Sequence, residues 1–153
     1  MKGDLSILII KPEAISRVEE VLECLRDYKV IRMKELRWVN IIPSLYEGNP
    51  TAKYQQEFYS RRFGPDCKAI ALLLEHKRGD TAEKIKRICG PTSPMEYTKP
   101  EHKLTLRHRF GLEAIIKLGG LEIYLNAVHA PDPKNANREI KLLFGENGGA
   151  EED

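Results

Sequence analysis

The chain is poor in cysteine: 153 residues contain Cys24, Cys67 and Cys89 and no others. An odd number of thiols, far apart and outside metal-ligand spacing, speaks against a disulfide framework or a thiolate metal site and reads as reduced thiols in a cytosolic protein. An excess of one charge is also missing. Twenty-five Lys and Arg against 23 Asp and Glu leave a net charge of +2. That balance argues against a general nucleic-acid or membrane-surface binder. Long hydrophobic runs are absent too. Leu5–Ile10 is too short for a membrane span, and Met1-Lys2-Gly3-Asp4 before it leads to no small-residue cleavage pattern, so neither a span nor a signal peptide is expected. His76, His102 and His108 lack metal-site spacing and read as surface residues.

What is present is an ordinary globular balance, 41% hydrophobic and 31% charged, in a length that suits one domain with one core. The domain is expected over residues 1–144, followed by an acidic, glycine-rich, frayed tail over 145–153.

Leu5–Ile10 is a nearly continuous apolar run, as in a strand buried on both faces. Lys11-Pro12 ends it, and Pro12 suits a first helical turn. Ala14, Val18, Val21, Leu22 and Leu25 recur at helical spacing, which predicts an amphipathic helix from Pro12 to about Tyr28. Val30–Val39 reads as a second strand. Pro43 to about Arg62 reads as helix, broken at Gly48-Asn49-Pro50. Lys68–Glu75 is a third, central strand. Asp80-Thr81-Ala82-Glu83 is close to a capping box and opens a helix that Gly90-Pro91 stops. Residues 91–111 hold three prolines and no period, a long loop of the kind that often carries function. Leu121–Val128 reads as the fourth strand. Asp132-Pro133 offers an N-cap acid with proline at the first position of a last helix ending near Phe144.

The order β-α-β-α-α-β-α-β-α, with the middle helical pair taken as one crossover, predicts an α+β fold. It is a ferredoxin-like βαββαβ sandwich with an antiparallel four-stranded sheet plus extra helices. Such a topology hosts many functions and decides none.

Four motifs in order carry a more specific message. Strand one ends in Lys11-Pro12-Glu13-Ala14. Gly90-Pro91-Thr92-Ser93-Pro94 follows the fourth predicted helix. Thr105-Leu106-Arg107-His108-Arg109-Phe110-Gly111 closes the long loop. Asn126-Ala127-Val128-His129-Ala130-Pro131-Asp132 leads to Arg138-Glu139-Ile140 and Phe144. Together they resemble the nucleoside diphosphate kinase family, and the resemblance runs from residue 5 to 144.

That resemblance implies ping-pong transfer of a γ-phosphoryl group from a nucleoside triphosphate to a nucleoside diphosphate through a phosphohistidine. It also implies Mg²⁺ arriving with the nucleotide, no direct metal ligand, and a homo-oligomer, a hexamer or tetramer built from dimers. His129 would be the nucleophile, which must be neutral with a free lone pair. The helix opening after Asp132-Pro133 disfavours imidazolium beside it. By resemblance, Glu139 holds the other ring nitrogen and Lys11 reaches the γ-phosphate. Arg107 and Thr92 contact phosphate, and Asn126 bonds the ribose. Tyr54 stands beside the lysine and histidine, and Phe63 stacks on the base. Stacking tolerates any base because every base has a π-face. Read without the motif, Tyr54, Phe58 and Tyr59 also form an ordinary packing face, and Arg107 belongs to a basic loop with Lys103 and Arg109.

The chain departs from the family pattern in several places. Pro131 stands where the family has a serine that bonds the glutamate, and His129 and Glu139 are one residue closer than usual. Lys86 stands where the family has a nucleotide-binding arginine, and lysine cannot form the bidentate fork. Leu112–Tyr124 is longer than the family segment, and Gly119-Gly120 within it favours a small hairpin. The first helix is shortened. These departures leave an alternative: a catalytically weak or inactive domain of the same fold acting as a nucleotide-binding or oligomeric scaffold. A nucleic-acid-binding ferredoxin-like module is disfavoured, because the strands lack paired exposed aromatics.

Overall fold

The computed structural model describes residues 4–91, 104–112, 115–118 and 121–145. Its centre is β1, Leu5–Ile10. On one side β1 pairs with β3, Lys68–His76, and on the other with β6, Val128–His129. The outer strand β2, Tyr28–Arg37, pairs with β3, so the order is β2-β3-β1-β6 with every pairing antiparallel.

The continuous apolar runs of β1 and β3 have one cause: helices cover both faces of the sheet. Leu8 and Ile10, with Leu72 and Leu74, pack against α1 (Val18–Cys24), α4 (Thr81–Cys89) and α5 (Leu106–Phe110). Ile7 and Ile9, with Ala71 and Leu73, pack against α2 (Trp38–Leu45), α3 (Ala52–Phe63) and α6 (Ala136–Phe144). Successive side chains of a strand point to opposite faces, so double coverage hides the period of two. β2 lies at the edge and leaves Val30 and Met33 exposed.

Several element boundaries differ from the sequence expectation. The predicted helix after Lys11 begins as a 3-10 turn, Pro12–Arg17, before α1. The second strand ends at Arg37 because Trp38, Ile42 and Leu45 form one buried helical stripe, which begins α2 at Trp38 rather than Pro43. Pro43 then lies inside α2 and cannot donate to the Val39 carbonyl. The Gln56 side chain of α3 supplies that donor at 2.9 Å.

Asp80 does not cap α4. Its φ of 53° is left-handed, whereas a capping side chain folds back from extended backbone. Instead the Thr81 N–H donates to Asp4 Oδ2 at 3.1 Å, and the Thr81 hydroxyl accepts from the His76 N–H at 2.9 Å.

The expected fourth strand, Leu121–Val128, is split. Leu121–Tyr124 is β5 and pairs with β4, Ile115–Leu118, in a separate hairpin, while Val128–His129 alone joins the main sheet. The Leu112 N–H donates to the Leu125 carbonyl at 2.8 Å and closes the base of this insertion. Gly119-Gly120 and residues 146–153 of the predicted tail lie outside the described residues. Among the described residues, no helix is long and apolar enough to cross a membrane.

Candidate active site

The ends of β1 and β6 meet at one point. Pro12 cannot continue the ladder, and the Lys11 N–H instead donates to the Ala127 carbonyl at 2.8 Å. Ala127 has φ of 75°, an unfavourable left-handed backbone for alanine. Its N–H donates to Glu13 Oε2 at 3.1 Å. The kink lets Asn126 and His129, three residues apart, line the same cleft.

His129 is held at both ring nitrogens. Nε2 lies 2.8 Å from Glu139 Oε1, and Nδ1 lies 3.3 Å from the Tyr46 hydroxyl. A carboxylate only accepts, so the neutral ring carries its proton on Nε2, and Nδ1 accepts from the hydroxyl of Tyr46, which lines the cleft with His129. Burial pushes the His129 pKa below its ordinary value; Arg107 and Lys11 push it the same way, and Glu139 opposes them. The ring is therefore neutral near pH 7. Burial, more than a helix end, is the first cause.

Glu139 keeps its second oxygen 3.6 Å from Arg138 Nη2. The same guanidinium donates to the Ser44 and Leu45 carbonyls at the end of α2, at 3.4 and 3.2 Å. Where the family pattern has a serine hydroxyl, this chain has Pro131 and a cation on the following helix. Asp132 stands at the start of a 3-10 turn, Pro133–Asn135, yet makes no side-chain cap bond; its carboxylate pairs with Lys86 at 3.2 Å.

Lys11 is buried and its ammonium donates to Asn126 Oδ1 at 2.8 Å and to the Tyr124 carbonyl at 3.4 Å. Arg107, also buried, donates through Nε and Nη2 to the Val128 carbonyl, both at 3.2 Å, and through Nη1 to the Gly90 carbonyl at 2.9 Å. It thereby ties the strand of His129 to the end of α4.

Lys11, Lys86, Arg107, Asn126, His129 and Glu139 line one cleft of about 520 Å³, a volume typical of small-molecule sites. Thr92 lies outside the described residues. Tyr54 and Phe63 do not line the cleft. The tyrosine beside His129 is Tyr46, because the break after α2 leaves Tyr46 facing the histidine and puts Tyr54 on the first turn of α3, under the Lys53 ammonium. Phe63 stacks on Tyr59 with centroids 5.6 Å apart and packs against the core. Tyr46, Glu13 and Arg138 were not assigned from sequence. The one sequence signal for Tyr46 is its place directly after the apolar stripe of α2. Glu122, Ile123 and Tyr124 of the inserted hairpin also line the cleft.

Among the described residues, no group of three or more His, Cys, Asp or Glu side chains stands ready to hold a metal. The cations on the cleft suit phosphates.

A family model described as Nucleoside diphosphate kinase matches residues 4–148. With nearly the whole chain matched, the protein belongs to the nucleoside diphosphate kinase family. No curated protein gives a significant match. Solved structures do. The nucleoside diphosphate kinase of Aquifex aeolicus is similar with a TM-score of 0.68 at 22% identity, over 94% of this chain and 96% of that one. A halophilic nucleoside diphosphate kinase from Halobacterium salinarum, solved in complex with CDP, gives 0.68 at 17% identity, over 99% and 93%. That of Encephalitozoon cuniculi gives 0.65 at 19% identity, over 97% and 94%. At these identities the likeness carries the fold.

Proposed function

We propose that the chain is an active nucleoside diphosphate kinase that works through a phosphohistidine on His129. The observation that carries this reading is the Glu139–His129–Tyr46 arrangement, a buried neutral imidazole held by a carboxylate with its other nitrogen on the side of a cation-lined cleft.

In the first half-reaction the Tyr46 hydroxyl turns away from Nδ1, and the freed lone pair attacks the γ-phosphorus. The bond from phosphorus to the β,γ-bridging oxygen breaks, and the electron pair leaves with the nucleoside diphosphate. The ring gains positive character, which Glu139 stabilises through Nε2–H. In the second, a terminal oxygen of another diphosphate attacks the phosphorus, and the N–P electrons return to the ring. Lys11 and Arg107 supply positive charge near the equatorial oxygens, where phosphoryl transfer needs it. Asn126, Lys86 and Thr92 belong to the proposed nucleotide-binding set. Mg²⁺ bound to the nucleotide phosphates would neutralise charge there. A homo-oligomer built from dimers and a cytoplasmic location complete the reading.

The test is incubation with γ-³²P-labelled nucleoside triphosphate. Acid-labile, base-stable label should appear on the wild type and be absent in His129→Ala. A wild type that takes no label would leave only the scaffold reading.

A further inference from the structure

Glu13 is a fully buried carboxylate that the phosphoryl-transfer steps do not use. Its side chain is 0% exposed and engages three separate stretches of the chain. Oε2 is 3.5 Å from the Lys11 ammonium and accepts from the Ala127 N–H at 3.1 Å. The Tyr59 hydroxyl of α3 lies 2.8 Å from Oε1 and 3.0 Å from Oε2. Ala127 is the residue with the left-handed backbone, two positions before His129. Its carbonyl accepts from the Lys11 N–H, so Lys11 and Ala127 are tied through the main chain as well.

We propose that Glu13 is a positioning residue. One buried carboxylate holds both the Lys11 ammonium and the strained Ala127 peptide, and so keeps the phosphate-facing cation in register with the nucleophile.

A buried carboxylate is costly unless paired and hydrogen-bonded. This one is retained with Tyr59 and Ala127 as donors and Lys11 as counter-ion; Lys11 lines the cleft, and Ala127 directly follows Asn126, which lines it too. Strain at Ala127 persists only if the surroundings over-determine it, and the Glu13 acceptor with the Lys11 N–H does that. The groups facing Lys11 can be named element by element. They are Glu13 on the 3-10 turn, Arg107 on α5, the Asn126 amide oxygen, the Tyr124 carbonyl, and the rings of Trp38 on α2 and Tyr59 on α3, at 6.0 and 5.7 Å from Nζ. His129 on β6 is within electrostatic reach. Among the described residues Glu13 is the one anion in that set, and without it the ammonium sits among rings, dipoles and another cation. Burial lowers the Lys11 pKa, Glu13 raises it, and Arg107 lowers it.

The inference deepens the kinase reading in its kinetic arm, while its spectroscopic arm needs no turnover. In the kinetic arm, kcat/KM is measured against pH. Glu13→Gln keeps the size and loses the charge. Its alkaline limb should move down by about one pH unit or more, while the acid limb, set by His129, stays in place because Lys11 is still protonated there. Glu13→Asp keeps the charge and should keep the alkaline limb, with kcat/KM reduced by the shorter reach. In the spectroscopic arm, the protein carries ¹³Cε-labelled lysine and no nucleotide, with Lys11→Arg used for assignment. The Lys11 signal should titrate at lower pH in Glu13→Gln than in wild type. An alkaline limb and a Lys11 titration unmoved in Glu13→Gln would overturn the proposal, as would equal shifts in Gln and Asp. If Glu13→Gln does not fold, Glu13→Asp decides: a reduced kcat/KM with the alkaline limb kept supports the proposal, and an unchanged kcat/KM overturns it.

Discussion

Replacing Glu139 by glutamine tests the centre of the site. The side chain is 5% exposed, so solvent screens little of the interaction. A hydrogen bond to a charged acceptor contributes about 1.5–3 kcal/mol and a neutral one about 0.5–1.5 kcal/mol. If the glutamine oxygen still faces Nε2, the loss is about 1–2 kcal/mol, or roughly 5–30-fold in the phosphorylation rate. Arg138 makes the other orientation the favoured one. Its guanidinium, 3.6 Å from Oε2, attracts the amide oxygen and turns the amide NH₂ toward His129. The ring then has to accept at Nε2 and carry its proton on Nδ1, which removes the attacking lone pair. A wrong tautomer of this kind cost about 10⁴-fold in the serine-protease triad, so the expected loss lies between about fivefold and that figure. The assay is single-turnover labelling with γ-³²P-nucleotide, with thermal melting to confirm folding. The acid limb gives a second sign. Glu139 raises the His129 pKa, so whatever activity survives should lose its acid limb at lower pH than wild type. A folded variant labelled within about twofold of wild type would refute the claim that Glu139 holds the ring.

Tyr46→Phe removes the hydroxyl 3.3 Å from Nδ1. That hydroxyl must turn from the Nδ1 lone pair to a phosphoryl oxygen as the lone pair attacks, so turnover should slow by about two- to tenfold, from the 0.5–1.5 kcal/mol of one such bond, while Tyr54→Phe leaves initial rates unchanged. Equal effects would return the role to Tyr54. Trp38 is the sole tryptophan, and its ring is 6.0 Å from the Lys11 ammonium and 6.4 Å from the Tyr46 ring, so its fluorescence should change on adding nucleoside diphosphate; a flat titration at saturating ligand would contradict the placement of the site. Gly90 has φ of 88°, and a Cβ there would lie 2.5 Å from the Thr105 side chain. Gly90→Ala should therefore cost about 2–4 kcal/mol and roughly 5–10 °C in Tm, read by calorimetry. His129 has a folded-state pKa below the ordinary 6.5, so the unfolded chain binds more protons between the two values. Stability should fall as pH drops below about 6.5 and through the folded value, and urea midpoints should show a weaker fall in His129→Asn.

Much of the site was legible because its residues sit in short local motifs. Asn126 and His129 are three residues apart, and Lys11 follows a strand that its own composition reveals. Tyr46 was not legible. It shares a helical-looking segment with Tyr54, and which of the two faces His129 depends on where the chain bends after α2. Asp80 and Asp132 both looked like caps, but Asp80 has left-handed backbone and Asp132 is drawn to Lys86. The segment Leu121–Val128 read as one strand because apolar alternation does not say which partner a strand takes.

The sequence by itself determined the apolar runs of β1 and β3, the four ordered motifs and the place of His129 within the last of them, because each depends on residues close together in the chain. Only the tertiary structure decided what surrounds that imidazole. Glu13 meets Ala127 across 114 positions, Lys11 meets Asn126 across 115, and Tyr46 meets His129 across 83. Such contacts leave no local period or spacing, and they exist only after a doubly covered sheet has brought the ends of β1 and β6 together.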